Sequence, residues 1–284
     1  MKAKCALIQM GFSTDRDRNV SRAASFVREA AAGGAEIICL PELATSIYMC
    51  FEENPESRSL AEPIPGPGTE EIGAAARDAG AYVVFPLYER DSDGLLYNTA
   101  TFIDRRGEVV GKYRKNSIPD VRMPHMCGME KFYFRPGNLG YPVFGTDLGI
   151  TVGVTICFER HFPEGPRIEA LAGADVIFVP TATAAGRDIW EIELRGHAVA
   201  NLLWVGGVNR VGRDSGSGNE AEFYGESFFS SPAGEIVARA RAGEQVVQAE
   251  IDTDLSRRLR RDWGFFRDRR PEIFAPVTAG GHHG

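Results

Sequence analysis

Short apolar segments alternate with longer helical segments along most of the chain, and this alternation restricts the possible fold more than any other feature of the sequence. It begins at once, because strand-like runs over 3–9 and 36–40 flank a helical pattern over 18–32. Further predicted strands lie at 82–86, 98–104, 109–113, 149–157, 176–180, 204–209, 224–230, 235–240 and 245–251, and further predicted helices at 70–79, 166–172 and 187–200. Strands that alternate with helices are typical of α/β proteins. The sequence therefore predicts an α/β fold.

Composition and charge narrow the class of protein. The chain has 284 residues, of which 43% are hydrophobic and 25% charged, as in ordinary globular proteins. Its net charge of −7 argues against a broad surface for nucleic acid or for an anionic membrane, since such surfaces need clustered Lys and Arg. The basic cluster 257–261 continues into mixed charge and indicates a solvated or inter-subunit helix face. No segment resembles a signal peptide or a membrane span, so we expect a cytoplasmic protein.

The chain contains no break that would divide it into two domains. We expect one domain over residues 1–277 and a disordered tail over 278–284. Segments 46–67 and 119–141 are rich in Pro, Gly, Met and aromatic residues and lack periodicity, which predicts functional loops over a site. The Gly- and Ser-rich segment 212–219 is predicted to be a flexible loop.

One cysteine differs in position from the others. Cys157 closes the apolar run 149–156, at the end of a predicted strand. A thiol there lies where loops at the carboxyl edge of a sheet form a ligand crevice, which makes it a candidate nucleophile. The alternative is a small buried hydrophobe, because most free cysteines behave in that way. The five cysteines lack the spacing of a zinc site, so we expect reduced thiols and no metal; they are Cys5, Cys39, Cys50, Cys127 and Cys157.

Two further strand ends carry reactive side chains, Glu42 and Lys115. Each alone is typical of a solvated loop or edge charge. A thiol is mostly protonated at neutral pH, so its attack on a carbonyl or nitrile carbon needs a base and a cation. Glu42 can be that base, and Lys115 can stabilise the oxyanion together with the backbone N–H of Phe158. His161 is the rival base.

The order and spacing of these motifs resemble the nitrilase superfamily of carbon-nitrogen hydrolases. The motifs are Leu40-Pro41-Glu42, Lys112-Tyr113-Arg114-Lys115 and the strand that ends in Cys157, together with FYFRPG at 132–137, NRVG at 209–212, YGESF at 224–228 and WGFFRDRRPE at 263–272. The resemblance covers nearly the whole chain and implies a four-layer αββα sandwich. It also implies a covalent thioester intermediate, no redox cofactor, and subunits that form a homodimer or a larger homo-oligomer. In this resemblance Glu130 orients the lysine and the substrate.

Arg160, three residues after the cysteine, bears on the substrate. The resemblance associates an arginine there with enzymes for N-carbamoyl amino acids and N-carbamoyl-β-alanine, whereas enzymes for carbamoylputrescine tend to lack it. A guanidinium can pair bidentately with a carboxylate, although a structural salt bridge to Glu159 or Glu164 is the alternative. Ser117 departs from the pattern, since many carbamoyl-amide hydrolases have a histidine two residues after the lysine.

The sequence therefore predicts an amidohydrolase of the β-ureidopropionase type, acting on a small N-carbamoyl amine that bears a carboxylate and releasing ammonia, carbon dioxide and the amine. An N-carbamoylputrescine amidase, an aliphatic amidase or a nitrilase with the same site remains an alternative. A non-catalytic assembly or regulatory subunit is the alternative of another class, and the joint presence of Glu42, Lys115, Glu130 and Cys157 argues against it.

Overall fold

Two facing β-sheets form the centre of the protein. The computed structural model describes residues 1–123, 126–216 and 219–279. The strands of these residues are β1 (Lys2–Gln9), β2 (Ile37–Cys39), β3 (Tyr82–Arg90), β4 (Leu96–Ile103), β5 (Val109–Arg114), β6 (Asp120–Met123), β7 (Met126–Met129), β8 (Phe144–Gly145), β9 (Thr151–Val154), β10 (Val176–Thr181), β11 (Trp204–Asn209), β12 (Val211–Gly216), β13 (Asn219–Tyr224), β14 (Phe228–Ser230), β15 (Ile236–Arg239) and β16 (Gln245–Asp252). The helices are α1 (Arg16–Ala32), α2 (Pro67–Ala79), α3 (Glu130–Tyr133), α4 (Glu164–Leu171), α5 (Arg187–Asn201), α6 (Thr253–Trp263) and α7 (Ala275–Thr278). Short 3₁₀ helices lie at Met49–Phe51, Pro55–Leu60, Cys157–His161 and Pro271–Ile273.

Each of the two large sheets has six strands within the described part of the chain. The first has the order β16-β1-β2-β3-β4-β5, and the second has the order β15-β14-β11-β10-β9-β8. The inner strands are parallel, β1-β2-β3 in one sheet and β9-β10-β11 in the other. Their outer neighbours pair antiparallel. The parallel pairs are joined by crossovers that contain helices, as parallel pairing requires.

Alternate side chains of the central strands enter different cores, because successive side chains of a strand point to opposite faces of the sheet. In β1, Cys5 and Leu7 lie in the core between the two sheets, whereas Ala6 and Ile8 pack with α1 and α2. Apolar residues on the outer face of β10 pack with α4 and α5. The layers are helix, sheet, sheet and helix, so the predicted α/β fold with a four-layer αββα sandwich is confirmed.

The strand directions bring three predicted site residues to one edge of the sandwich. Because β4 is antiparallel to both β3 and β5, β5 runs in the same direction as β2, and their carboxyl ends share an edge. Glu42 follows β2 and Lys115 follows β5. In the second sheet, Cys157 follows β9 and Ala182 follows β10, which is parallel to β9. The Ala182 N–H donates to the Glu42 carboxylate at 2.8 Å, so the two sheets meet at this edge.

Three segments are more regular than the sequence predicts. Segment 46–67 contains two short 3₁₀ helices, and segment 119–141 contains β6, β7 and α3. The expectation of a flexible loop over 212–219 is wrong for its described residues, which belong to the β12-β13 hairpin. Residues 217 and 218 lie outside the described residues. A polar, Gly-rich hairpin lacks the apolar alternation by which a strand is recognised, which explains the error over 212–219.

Two predicted strands end early. The strand before the cysteine ends at Val154, and Cys157 is the first residue of a 3₁₀ helix rather than the last residue of a strand. The run 224–230 is broken between β13 and β14, where Gly225 and Glu226 have φ angles of 70° and 57°. Left-handed backbone cannot continue a strand.

The remaining predictions concern the C-terminal region, the location of the protein and the pairing of its subunits. The basic cluster 257–261 lies in α6, so its helical interpretation is confirmed. Thr278, the first residue of the predicted tail, closes α7, and residues 280–284 lie outside the described residues. Among the residues with described structure, no helix is long and apolar enough to cross a membrane. The cytoplasmic location and the pairing of subunits stay predictions.

Candidate active site

Glu42 lies just beyond β2, with none of its surface exposed. One carboxylate oxygen accepts hydrogen bonds from Asn98 Nδ2 at 2.8 Å and from Lys115 Nζ at 2.9 Å. The other accepts from the Ala182 backbone N–H at 2.8 Å. The next residue, Leu43, has a φ of 51°, so the chain turns sharply after the carboxylate. Donors from three separate segments thus hold Glu42 in one orientation.

Lys115 is a buried ammonium between two carboxylates. Its Nζ lies 2.9 Å from Glu42 Oε1 and 2.8 Å from Glu130 Oε2. Burial alone would lower the pKa of Lys115, but the two carboxylates outweigh that effect and raise the pKa well above its usual value. Lys115 is therefore a permanent positive charge at the junction of the two sheets.

Glu130 begins α3 and accepts hydrogen bonds from Lys115 Nζ with both carboxylate oxygens, at 3.0 and 2.8 Å. Burial raises the pKa of Glu130 to about 7, and the neighbouring Glu42 acts in the same direction against the opposing effect of Lys115. The site thus holds two carboxyl groups and one ammonium, and ionisation of Glu130 is opposed by burial and Glu42 and favoured by Lys115. The hydroxyl of Tyr48 donates to Glu130 Oε1 at 2.9 Å.

Cys157 occupies a strained position at the start of a 3₁₀ helix. Its φ of 51° is in the left-handed region, which is uncommon for a residue with a side chain and is frequent at functional sites. Burial and the nearby Glu42 carboxylate raise the pKa of the thiol to about 12, against the lowering effect of Lys115 and Arg160. The thiol is therefore protonated at neutral pH and lies within electrostatic reach of all three other charged site residues, Glu42, Lys115 and Glu130.

Glu159 anchors the turn that carries the thiol. Its carboxylate accepts hydrogen bonds from the Tyr113 hydroxyl at 2.6 Å and from the backbone N–H groups of Ile156 at 3.0 Å and Asn116 at 2.8 Å. One buried carboxylate thus ties the residue before Cys157 to the residue after Lys115. Glu159 is fully engaged there, so it is not the salt-bridge partner of Arg160.

Arg160 has a different partner from either one expected. Its Nε donates to Glu193 Oε2 at 3.1 Å, and its Nη1 donates to the Cys157 carbonyl at 3.1 Å. The expected structural alternatives, Glu159 and Glu164, are not its partners; Glu193 comes from α5, too far along the chain for local spacing to reveal. Arg160 is buried beside the thiol, which agrees with a place in the site.

His161 and Phe158 lie on the outer side of the same turn. His161 Nδ1 lies 2.6 Å from Glu193 Oε1, and the ring of His161 packs edge-on against that of Phe158 at 5.1 Å. Glu42, by contrast, already lies at the junction that holds Lys115. The geometry therefore favours Glu42 over His161 as the base.

Sequence reasoning missed most of the supporting residues. Asn98 and Tyr48 donate to the two carboxyl groups, and Arg210 donates to the backbone carbonyls of Glu42 and Leu43 at 2.6 to 3.0 Å. Arg210 could have been found, because it belongs to the NRVG motif. Among the described residues no group of three or more His, Cys, Asp or Glu side chains is arranged to hold a metal ion.

Comparison with known proteins decides the family. The model of the carbon-nitrogen hydrolase family matches residues 4–261. The chain belongs to the carbon-nitrogen hydrolase family. A protein named citrullinase from Francisella tularensis is 34% identical to this hydrolase over 97% of this chain and 98% of that protein. A protein named N-carbamoylputrescine amidase from Arabidopsis thaliana is 36% identical over 94% of this chain and 92% of that protein.

A solved structure agrees with the fold. The crystal structure of a carbon-nitrogen hydrolase from Helicobacter pylori superposes on this hydrolase with a TM-score of 0.92, at 29% identity, over 98% of this chain and 99% of that one. The protein is therefore a member of the nitrilase superfamily and a hydrolase of C–N bonds in linear amides, with carbamoyl or amide compounds as its substrates.

Proposed function

We propose that this hydrolase cleaves an N-carbamoyl amine that carries a carboxylate. The supporting observation is Arg160, which is 4% exposed and lies in the same short helix as Cys157. Its Nε and Nη1 atoms are engaged, but no described residue accepts a hydrogen bond from Nη2. Nη2 lies near Gly186: a Cβ atom built on that glycine would be 3.8 Å from Nη2. A substrate carboxylate can accept a charge-assisted hydrogen bond there, beside the thiol.

In the proposed reaction, Cys157 Sγ attacks the ureido carbonyl carbon. Because the thiol is held protonated, its proton passes to Glu42 as the C–S bond forms. The carbonyl oxygen becomes an oxyanion, which the Lys115 ammonium and the Phe158 backbone N–H stabilise. Glu130 holds the ammonium in place through a second ion pair.

The bond to the terminal nitrogen then breaks, and Glu42 gives its proton to the departing ammonia. A thioester between Cys157 and the R–NH–CO group remains. Water that loses a proton to Glu42 attacks the thioester carbon, and the thiol leaves with that proton. The released carbamic acid, R–NH–COOH, decomposes to carbon dioxide and the amine R–NH₂.

A substrate of the N-carbamoylputrescine type is the second candidate, because the relative from Arabidopsis thaliana carries that name. Such a substrate ends in an ammonium instead of a carboxylate. The Glu193 side chain is 22% exposed and presents a negative charge next to Arg160. The two candidates therefore predict opposite effects when the charge of Arg160 or of Glu193 is removed.

A substrate panel tests the proposal. Ammonia release is measured with N-carbamoyl-β-alanine, citrulline, N-carbamoylputrescine and propionamide, for the wild type and for Cys157→Ala. We expect the carboxylate-bearing ureido compounds to be hydrolysed with the highest kcat/KM, and no activity from Cys157→Ala. A preference for N-carbamoylputrescine would favour the second candidate, and equal ammonia from Cys157→Ala would reject the proposed nucleophile.

Two matched variants test the role of Arg160. Arg160→Gln should lower kcat/KM for N-carbamoyl-β-alanine by about tenfold or more, because a hydrogen bond between charged groups is lost. Glu193→Gln should leave or raise that value, because Arg160 is then less neutralised. Propionamide, which has no carboxylate, should respond little to either change. An equal loss for both substrates in Arg160→Gln would remove the carboxylate role.

A further inference from the structure

Tyr48 is held at both of its polar ends. Its hydroxyl donates to Glu130 Oε1 at 2.9 Å, and its backbone N–H donates to Asp214 Oδ2 at 2.9 Å. Its ring packs edge-on against Phe51 and Phe223, with centroids 5.0 and 6.3 Å away. The side chain is 6% exposed. Such constraints leave the hydroxyl little freedom, so it presents one fixed donor to Glu130.

Asp214 links Tyr48 back to Glu42. The same oxygen that accepts from Tyr48 also accepts from Arg210 Nη1 at 3.1 Å. Arg210 is fully buried and donates to the Glu42 carbonyl through Nε at 3.0 Å and Nη2 at 2.8 Å. Together with the bonds of Lys115 to Glu42 and Glu130, these contacts close a ring of hydrogen bonds that passes through both carboxyl groups.

The Tyr48 hydroxyl acts on a carboxyl group whose protonation is finely balanced. Burial and Glu42 favour the neutral form of Glu130, whereas Lys115 and the Tyr48 hydroxyl favour its ionised form. Two thiols also face Glu130, Cys50 from the neighbouring 3₁₀ helix and Cys157. A neutral carboxyl group would attract the Lys115 ammonium less and leave it less firmly oriented. A single fixed donor can therefore decide how much of the enzyme has Lys115 in place.

We propose that Tyr48 is a positioning residue of this enzyme, which keeps Glu130 ionised and oriented so that Glu130 holds Lys115 at the oxyanion. The kinetic part of this inference rests on the proposed function, because it needs a substrate. The ionisation of Glu130 can be measured without one. Asp214 and Arg210 support the same arrangement from the backbone side of Tyr48.

The test uses Tyr48→Phe, which removes the hydroxyl and keeps the ring. The pH at which Glu130 titrates is followed by the infrared band of protonated carboxyl groups, assigned by its loss in Glu130→Gln. We expect the midpoint to rise by about one pH unit, the acidic limb of the kcat profile to move with it, and kcat at neutral pH to fall by about fivefold with little change in KM. Asp214→Asn should shift the midpoint in the same direction by less.

Tyr88→Phe is the matched control, because Tyr88 belongs to the same apolar cluster and its hydroxyl donates to the Tyr133 carbonyl, at 3.4 Å, instead of to a carboxyl group. It should leave both the midpoint and kcat unchanged. A Tyr48→Phe enzyme with the wild-type infrared midpoint and the wild-type kcat profile would overturn the inference. A wild-type enzyme that hydrolyses no compound of the panel would instead reject the proposed function, and the infrared titration would still decide the role of Tyr48.

Discussion

Arg114 and Lys115 are adjacent in the chain, yet they belong to two separate ionic clusters. Two cations share one carboxylate in the first, and two carboxyl groups share one cation in the second. In the Glu89 cluster, Arg114 donates to Glu89 at 2.6 and 2.8 Å and Lys112 donates at 2.6 Å, so one carboxylate meets two cations. In the Lys115 cluster, one ammonium lies between Glu42 and Glu130. Glu89 thus has two cationic partners, of which Arg114 also lies 3.7 Å from Asp91, whereas in the second cluster two carboxyl groups share one cation.

The two carboxyl groups respond in opposite directions. Burial opposes ionisation of Glu89, but the hydrogen bonds from Arg114, Lys112 and Thr99 outweigh it and hold the pKa of Glu89 below its usual value. Burial prevails at Glu130 and raises its pKa to about 7. An oversupply of donors therefore makes a stable structural link at Glu89, whereas the donors at Glu130 only partly offset burial, so its ionised form depends on each of them.

The largest expected effect on kcat distinguishes Lys115 from Lys112. Lys115→Gln removes the cation that stabilises the oxyanion and should lower kcat by about a thousandfold. Lys112→Gln makes the same substitution in β5, where Arg114 still serves Glu89, and should change kcat by less than about twofold. Steady-state ammonia release at matched folded fractions measures both. Similar losses in the two variants would show that the two clusters do not differ in function.

A second comparison replaces the carboxyl group of Glu89 or of Glu130 with an amide. Glu89→Gln leaves Arg114 and Lys112 without a buried counter-charge and should reduce the free energy of unfolding by about 3 kcal/mol, with activity largely kept. Glu130→Gln removes a carboxyl group from a site that has one in excess, so it should cost much less stability and lower kcat by about a hundredfold. Urea unfolding and kinetics on the same preparations give both values. A larger loss of stability in Glu130→Gln than in Glu89→Gln would contradict the difference between the two clusters.

Glu169 extends the comparison to a buried carboxyl group that has hydrogen bonds but, within the described part of the chain, no cation as a partner. It accepts from Val154 N–H at 2.7 Å and from Thr155 Oγ1 at 3.0 Å, and burial raises its pKa from 4.5 to about 8. Between these two values the folded state binds one more proton than the unfolded state, so stability falls as pH rises through this range.

We expect the wild type to lose about 1 kcal/mol per pH unit, relative to Glu169→Gln, between roughly pH 5 and pH 8. In Glu169→Gln the amide oxygen can still accept from the Val154 N–H, and the amide NH₂ group can donate to Thr155 Oγ1 once that hydroxyl turns to act as acceptor. Unfolding curves at several pH values measure the difference, and Glu164→Gln on the exposed side of α4 is the control. Parallel curves for wild type and Glu169→Gln would show that Glu169 is ionised in the folded protein.

The strand ends were predictable from the sequence, and the bonds between them were not. Predicted strands that end at or near Glu42, Lys115 and Cys157 are visible in the sequence, and parallel strands bring such ends to a common edge. Tyr48 and Asp214 lie in segments without apolar periodicity, so their contacts depend on tertiary packing alone. Glu193 became the partner of Arg160 because α5 packs over the turn, which no local spacing indicates.

The most direct test of the central claim is the mass of the Cys157 peptide during turnover. Wild-type enzyme is mixed with N-carbamoyl-β-alanine or citrulline, quenched in acid within one turnover and digested for mass spectrometry. We predict an adduct on Cys157 whose mass changes with the amine portion of the substrate, because ammonia leaves first and the R–NH–CO group stays on sulfur. An adduct on another residue, or an adduct of the same mass from every substrate, would contradict the account.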